Sequence, residues 1–375
     1  MKEVVIVQHG LTHYRLPFFN SLREQLRAYD IKLRVLYSRL EQRRGQGSLF
    51  NYHYTDLDWA EVISSRSLLK HFVVQSLRHK VTDTDLLIFT HENRFILVNA
   101  YYLLPVVHRP KVAFWGHGWN HQAENLDSLK ERLRTWSGRR SHWYFAYTGN
   151  VRKKLIELGY DPEKVTDVQN SIQTPEFTPD PRKIQSIRQE FGLIRTSSVA
   201  LFCGKMYPMR RLDMLFEAAA RVHEALPSFS LILAGGGPDE PIAEQAARDY
   251  DFVHCAGPVT GARKASLFSV SRLCVMPGLV GLGVVDAFHH GVPAVATRFP
   301  HHSPEFAYLR DGQNGLIVDH SAEALSAAML RLATDDVLHR QLVMGAKASS
   351  NELSMEEMVQ RFTGGILAAL GDGPD

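Results

Sequence analysis

Two rhythms alternate along the chain. Short runs rich in β-branched and aromatic residues, Val4–Val7, Lys32–Tyr37, Leu86–Thr90, Lys111–Trp115 and Trp143–Tyr147, read as strands. Amphipathic stretches lie between them, for example Phe18–Ala28 and Leu126–Trp136, and read as helices. Near-continuous apolar strands separated by helices predict a parallel sheet covered on both faces. From Ile172 to Lys183 the periodicity lapses and prolines stand at 175, 179 and 181, which predicts a linker. The rhythm then restarts with Val199–Cys203, a helix over Leu212–Ala225, Ser228–Ala234, Phe252–Cys255, Leu273–Met276 and Val292–Ala296. A last helical pattern covers Ser354–Leu370. The expected architecture is α/β: two doubly wound domains, residues 1–173 and 186–353, joined by a linker at 174–185 and facing across a cleft.

A length of 375 residues suits two domains, and 45% apolar with 22% charged residues is the balance of a soluble globular enzyme. That balance excludes a disordered chain, a collagen and a disulfide scaffold. Cys203, Cys255 and Cys274 show no paired spacing and read as reduced core residues, which points to a cytoplasmic setting. No signal-peptide pattern opens the chain. The charge-free run Phe95 to Val107 is 13 residues, too short to span a bilayer.

The net charge of +3 conceals an asymmetry. Residues 1–170 hold 25 Lys and Arg against 17 Asp and Glu, and the remainder holds 18 against 23. A basic half beside an acidic one suits an anionic membrane surface or a phosphorylated substrate, or serves solubility alone. No nucleic-acid-binding motif accompanies it. The basic residues gather at Arg39, Arg43 and Arg44, and again at Lys130, Arg132, Arg134, Arg139 and Arg140. The second group lies on a helix whose Leu126, Leu129, Leu133 and Trp136 form one apolar stripe, fit for the core or for a membrane surface.

In open parallel sheets ligands bind beyond the carboxyl ends of the strands, so the residues that follow each strand are the candidates for chemistry. Gly204-Lys205-Met206-Tyr207-Pro208-Met209-Arg210-Arg211 puts three cations between a strand end and a helix start, an arrangement suited to an anion. Gly235-Gly236-Gly237-Pro238 is either a second phosphate loop or a tight turn, and it is not the dinucleotide fingerprint. Gly278-Leu279-Val280-Gly281-Leu282-Gly283 opens a helix with exposed backbone N–H groups, and Asp286 falls in its first turns. In the first half Gly10, flanked by His9 and His13 and followed by Arg15, ends the first strand. His91 and Glu92 follow Leu86–Thr90, and His117 stands between two glycines after Lys111–Trp115. Asp56-Leu57-Asp58 and Asp83-Thr84-Asp85 are Asp-x-Asp triplets, the second at the wrong end of its strand for a metal site, and no metal is expected. His301-His302 suits contact with a ligand or a plain loop.

These segments resemble the GT-B fold glycosyltransferases of family four. Gly204, Lys205 and Arg210 align with that family's Gly-Arg-…-Lys-Gly, and Gly235-Gly236-Gly237-Pro238 with its Gly-x-Gly-Pro. Pro277 to Pro293 aligns with its Glu-x7-Glu segment, and Asp311-Gly312-Gln313-Asn314-Gly315 with its closing turn. The resemblance implies a retaining transferase that takes a nucleotide-diphosphate sugar as co-substrate and needs no other cofactor. It places Gly10, Gly204, Gly236, Pro238, the loop Gly278–Gly283 and Asp286 at the donor. It gives His117, Lys205 and Arg210 the catalytic part, with the two cations stabilising the leaving diphosphate. His13, Arg15 and Glu92 fall to a saccharide or lipid-linked acceptor. The cysteines point to a cytoplasmic location, and the clustered basic residues to peripheral attachment on the inner face of the membrane. Two departures stand out: Gly278 replaces the first glutamate of the pair, and Lys205 replaces an arginine.

Overall fold

A computed structural model describes residues 1–38, 57–68, 72–77, 80–92, 110–118, 129–174 and 180–371. The chain forms two compact units, Met1–Gln173 with Ser354–Asp375, and Thr174–Leu353.

The first unit is built on a parallel sheet of seven strands: β1 (Lys2–Gln8), β2 (Ile31–Ser38), β3 (Ala60–Ile63), β6 (Leu86–Thr90), β7 (Lys111–Gly116), β8 (Trp143–Ala146) and β9 (Val165–Asp167). They lie in the order β3-β2-β1-β6-β7-β8-β9, while β4 (Ser65–Leu68) and β5 (Phe72–Gln75) form a separate antiparallel pair. Successive residues of a strand point to opposite faces, so a run that is apolar throughout needs a cover on both. Val4, Ile6, Trp115 and Phe145 face the helices Leu16–Arg27 and Met355–Leu370, and Val5, Val7, Phe114 and Tyr144 face Val151 and Leu155 on the other side. In the last helix Phe362 stacks on Phe145 at 4.3 Å and meets Trp115 and Phe18 edge-on. Gly365 of that helix leaves no space for a Cβ, which would lie 2.6 Å from the Phe145 ring.

The second unit repeats the plan with six parallel strands in the order β12-β11-β10-β13-β14-β15. These are β10 (Ser198–Cys203), β11 (Phe229–Ala234), β12 (Val253–Gly257), β13 (Leu273–Met276), β14 (Ala294–Thr297) and β15 (Gly315–Val318). Leu215 and Phe216 from the helix Leu212–Ala225, with Leu325 and Met329 from Ala322–Thr334, cover one face. The alternating reading thus holds, and both units are Rossmann-like.

Three expectations need correction. The stretch expected as a linker at 174–185 is helical from Pro181, because the Asp180 carboxylate accepts the Arg182 N–H and proline suits the first helical position. Cys255 is exposed rather than in the core, since β12 is an edge strand, and all three cysteines are free. The helix Leu129–Arg139 turns its polar side inward: Glu131, Arg134 and Ser137 are buried, while Leu133 is 42% exposed. Arg134 donates to the His91 carbonyl at 2.7 Å and pairs with Glu131 at 3.7 Å, so it does not join a basic surface. Arg39, Arg43, Arg44 and Leu126 lie outside the described residues.

Candidate functional site

In the second unit three loops interlock above the strand ends. The Gly204 N–H donates to Ala234 and the Met206 N–H to Gly236, which binds the loop after β10 to the loop after β11. A Cβ on Gly235 would stand 2.8 Å from the Gly204 carbonyl carbon and still closer to its oxygen. The Leu279 N–H donates to Met209 at 2.8 Å, and the Arg210 guanidinium donates back to the Leu279 carbonyl. A Cβ on Gly278 would lie 2.8 Å from the Arg210 carbonyl carbon, so this glycine lets the third loop close on the first.

The sequence-derived donor residues Gly204, Lys205, Arg210, Gly236, Pro238, Gly278, Leu279, Val280, Gly281, Leu282 and Gly283 therefore fall on three touching loops. Lys205 is half-buried there. Arg210 is tied to Leu279 and lies over the Tyr207 ring at 5.2 Å, and burial lowers its pKa. It clamps two loops as well as supplying charge. Not every N–H of the glycine loop is available to a ligand: Leu279 is taken by Met209, and Val280 donates to His302 Nδ1 at 3.0 Å. Among the described residues the N–H groups of Gly281, Leu282 and Gly283 have no protein acceptor. They head the helix Gly283–His289, where the dipole adds positive potential.

Two histidines, one named and one missed by sequence reasoning, hold this floor. Because His302 Nδ1 accepts from Val280, its Nε2–H donates to the Thr297 carbonyl at 2.8 Å. The ring also stacks on Phe306 at 3.8 Å, and burial drives its pKa down to about 4. It is a neutral strut under the glycine loop, not a loop histidine in solvent. The Thr297 hydroxyl donates to Pro277 at 2.6 Å and so accepts from His320 Nδ1, leaving His320 Nε2 to accept from Arg211. Arg211 holds a left-handed backbone, φ 55, which costs about 1–3 kcal/mol in a non-glycine residue. The bonds from Arg211 to Asp213 and His320 hold it in place.

Asp286 lies on the helix Gly283–His289 as expected, but its Oδ1 accepts from Lys264 Nζ at 2.7 Å and from Thr174 Oγ1 at 3.4 Å. Its Oδ2 has no protein partner among the described residues. Lys264 escaped sequence reasoning. The available signal was a lysine in the first turns of a helix, against the helix dipole, just beyond a strand end. Asp311 and Asn314 close the turn before β15: the Asp311 carboxylate accepts from Ile317, and the Asn314 amide bridges Tyr308 and Ser349.

In the first unit Gly10, His13, Arg15, His117 and Glu92 all stand beyond the carboxyl ends of strands. His117 lies edge-on to Tyr147 at 4.4 Å, and His13 is exposed. Arg15 is buried and donates to Asn170 Oδ1 at 2.7 Å. His91, a candidate by its place after Leu86–Thr90, is instead buried, stacked on Phe114 at 4.1 Å and bonded through Nδ1 to the Tyr144 hydroxyl, which also accepts from the Gly118 N–H. Burial holds its pKa well below the ordinary value, and its place is structural. Asp58 pairs with Arg23 at 2.7 Å and Asp85 accepts from the Glu3 N–H; Asp56 lies outside the described residues. An open cavity of about 650 Å³ beside Trp143, Arg152, Asp167 and Arg361 is a weaker candidate, since Arg152 is bonded to the Val165 and Pro162 carbonyls and Arg361 to Glu357.

The interlocked loops fall within residues 197–335, which match the family model described as Glycosyl transferases group 1. Residues 197–335 are a group 1 glycosyltransferase domain. The D-inositol 3-phosphate glycosyltransferase of Acidothermus cellulolyticus is 27% identical over 241 residues, 60% of this chain and 53% of its own length. That of Salinispora arenicola is 27% identical over 232 residues, 56% of this chain and 50% of its own. The chain thus spans about half the length of the curated relatives it matches. Over 96% of this chain and 98% of its own, Anabaena HepE, solved in complex with UDP, superposes at a TM-score of 0.70 with 16% identity. A glycosyltransferase from Rickettsia africae superposes at 0.71 with 13% identity over 99% of both chains. The fold is GT-B.

Two outcomes test the geometry of the group 1 domain. Gly278→Glu, which would restore the family carboxylate, is expected to cost about 1–3 kcal/mol of stability as for overpacked sites, read as a lower urea midpoint; an unchanged midpoint would show that the loops part freely. His302 and His290 both have folded pKa values of about 4 against an ordinary 6.5. Their neutral forms therefore support the fold fully above pH 6.5, and that support is lost as pH falls from 6.5 toward 4. The double variant His290→Gln, His302→Gln should show a flatter fall in unfolding midpoint across that window than the unsubstituted chain.

Proposed function

We propose that the chain transfers a sugar from a nucleotide-diphosphate sugar to a saccharide or lipid-linked acceptor, with retention at the anomeric carbon and without a metal. The pathway we assign is assembly of a cell-surface polysaccharide, lipopolysaccharide or related glycoconjugate. The observation that carries this reading is the convergence of Lys205, Arg210 and the unpartnered N–H groups of Gly281–Gly283 at the strand ends of the group 1 domain. Breaking the anomeric bond leaves negative charge on the β-phosphate. Cations and helix-terminal N–H groups fixed beforehand stabilise that charge without reorganising, and loss of one such donor costs on the order of 10²–10³ in rate in other enzymes. Asp286, steadied by Lys264, offers Oδ2 to the ribose diol. Gly10, Gly204, Gly236 and Pro238 bring backbone close to the donor, and His117 serves the transferred sugar. His13, Arg15 and Glu92 belong to the acceptor side. HepE is solved in complex with UDP and with UDP-glucose, and the curated relatives are named for D-inositol 3-phosphate, both in keeping with this assignment.

A second reading has one observation in its favour. Gly278 lacks the carboxylate of the family pair and has no space for it, which suits a nucleotide-binding protein with impaired transfer; a GT-B sugar-nucleotide 2-epimerase is the rival among enzymes. Release of sugar to an acceptor, epimerisation without one, or binding alone separates the three.

Thermal stabilisation across UDP, GDP, dTDP, ADP and CMP and their sugars tests the donor site. One nucleotide family should raise the melting temperature, and Lys205→Ala should abolish the rise; a panel without any shift overturns the assignment.

For location we propose the cytoplasmic membrane face. Leu133 is exposed beside exposed Arg132, Arg139 and Arg140, which suits an anionic bilayer at about 1 kcal/mol per cation. No helix among the described residues is long and apolar enough to cross a membrane. Co-sedimentation with anionic vesicles at low salt, reversed at high salt, is expected; failure to bind at low salt removes this part.

A further inference from the structure

Arg15 is the most unusual charge in the first unit. It is only 8% exposed, yet no carboxylate pairs with it among the described residues. Its Nη2 donates to Asn170 Oδ1 at 2.7 Å, and its guanidinium lies 5.0 Å from the Trp115 ring and 5.5 Å from that of Tyr14. Its Nη1 is buried without a hydrogen-bond partner. A buried cation without a counter-charge is costly, and it persists where something outside the chain completes it.

The surroundings sharpen the imbalance. Arg15 immediately precedes the helix Leu16–Arg27, which has no acidic residue in its first turn and no side-chain cap. The positive end of the helix dipole therefore adds to the guanidinium instead of offsetting it. Gln8 closes β1 and Trp115 stands near the end of β7, and the side-chain donors Gln8 Nε2 and Trp115 Nε1 are likewise buried without acceptors. One end of one sheet thus holds a fixed positive charge and several buried polar atoms without partners, Gln169 Oε1 beside Asn170 among them. Ligands of parallel sheets bind at this end.

We propose that Arg15 binds an anionic substituent, a phosphate or carboxylate, carried by the acceptor. The planar guanidinium is held by Asn170 on one nitrogen, which leaves the other free to donate to an oxyanion. This deepens the glycosyltransferase reading, and rests on it only in assigning the anion to the acceptor rather than to the donor.

The test separates the two sources of negative charge. Inorganic phosphate and glucuronate are titrated calorimetrically into Lys205→Ala protein, in which one of the donor-site cations of the second unit is removed, with and without Arg15→Met. The added substitution should weaken binding about tenfold or more, and Arg15→Lys should fall between, since a point charge replaces a fork. The nucleotide that stabilises the unsubstituted chain should still bind the single Arg15→Met variant with unchanged affinity. Equal binding of both anions with and without Arg15 overturns the proposal. Loss of nucleotide binding in folded Arg15→Met overturns the acceptor assignment and gives the residue to the donor diphosphate. If Arg15→Met fails to fold by circular dichroism, Arg15→Lys carries the test alone, and anion affinity unchanged from Lys205→Ala refutes it. A failed nucleotide panel leaves the phosphate and glucuronate arms intact.

Discussion

The second unit depends on backbone meeting backbone where a side chain would not fit. Parallel strands end in loops that spread apart unless something draws them together. Here Gly235 lies against the Gly204 carbonyl, and Gly278 against the backbone of Met209 and Arg210. Main-chain bonds and the Arg210 guanidinium fasten the seam. From that contact follow the placement of the free N–H groups, the aim of the helix that carries Asp286 and the spacing of the cations. The glycine at 278 is thus part of the loop geometry, and its lack of a carboxylate belongs with the closeness of the loops.

Much of this plan was legible in the chain. Every long apolar strand was readable because both sheet faces are covered, and Leu86–Thr90, Leu273–Met276 and the helix Leu212–Ala225 are found at the expected residues. The strand-end loops were legible because glycine and cations were concentrated there. Short edge elements were not. Ala60–Ile63 and the β4–β5 pair have too few residues for a period to show.

Pairings between distant residues were equally hidden, for a different reason. Nothing local in Lys264 names Asp286 as its partner, and nothing in His302 announces an N–H acceptor for Val280. The helix Leu129–Arg139 was hidden in another sense. Its apolar spacing suited the core or a membrane surface alike; Arg134 is drawn in by the His91 carbonyl and Glu131, and Leu133 is turned outward. A satisfied buried charge outweighed an apolar stripe there, and only tertiary partners reveal such a trade.

The helix Met355–Leu370 belongs to the first unit although the whole second unit precedes it in the chain. On the ribosome this reverses the usual order of completion. Phe18, Trp115 and Phe145 emerge early but wait for Phe362 to cover them, while residues 174–353 can close their own core first. During synthesis the N-terminal sheet therefore presents a greasy, unfinished face for as long as some two hundred residues take to be added. A nascent chain of this design needs shelter from chaperones on its oldest part, not its newest.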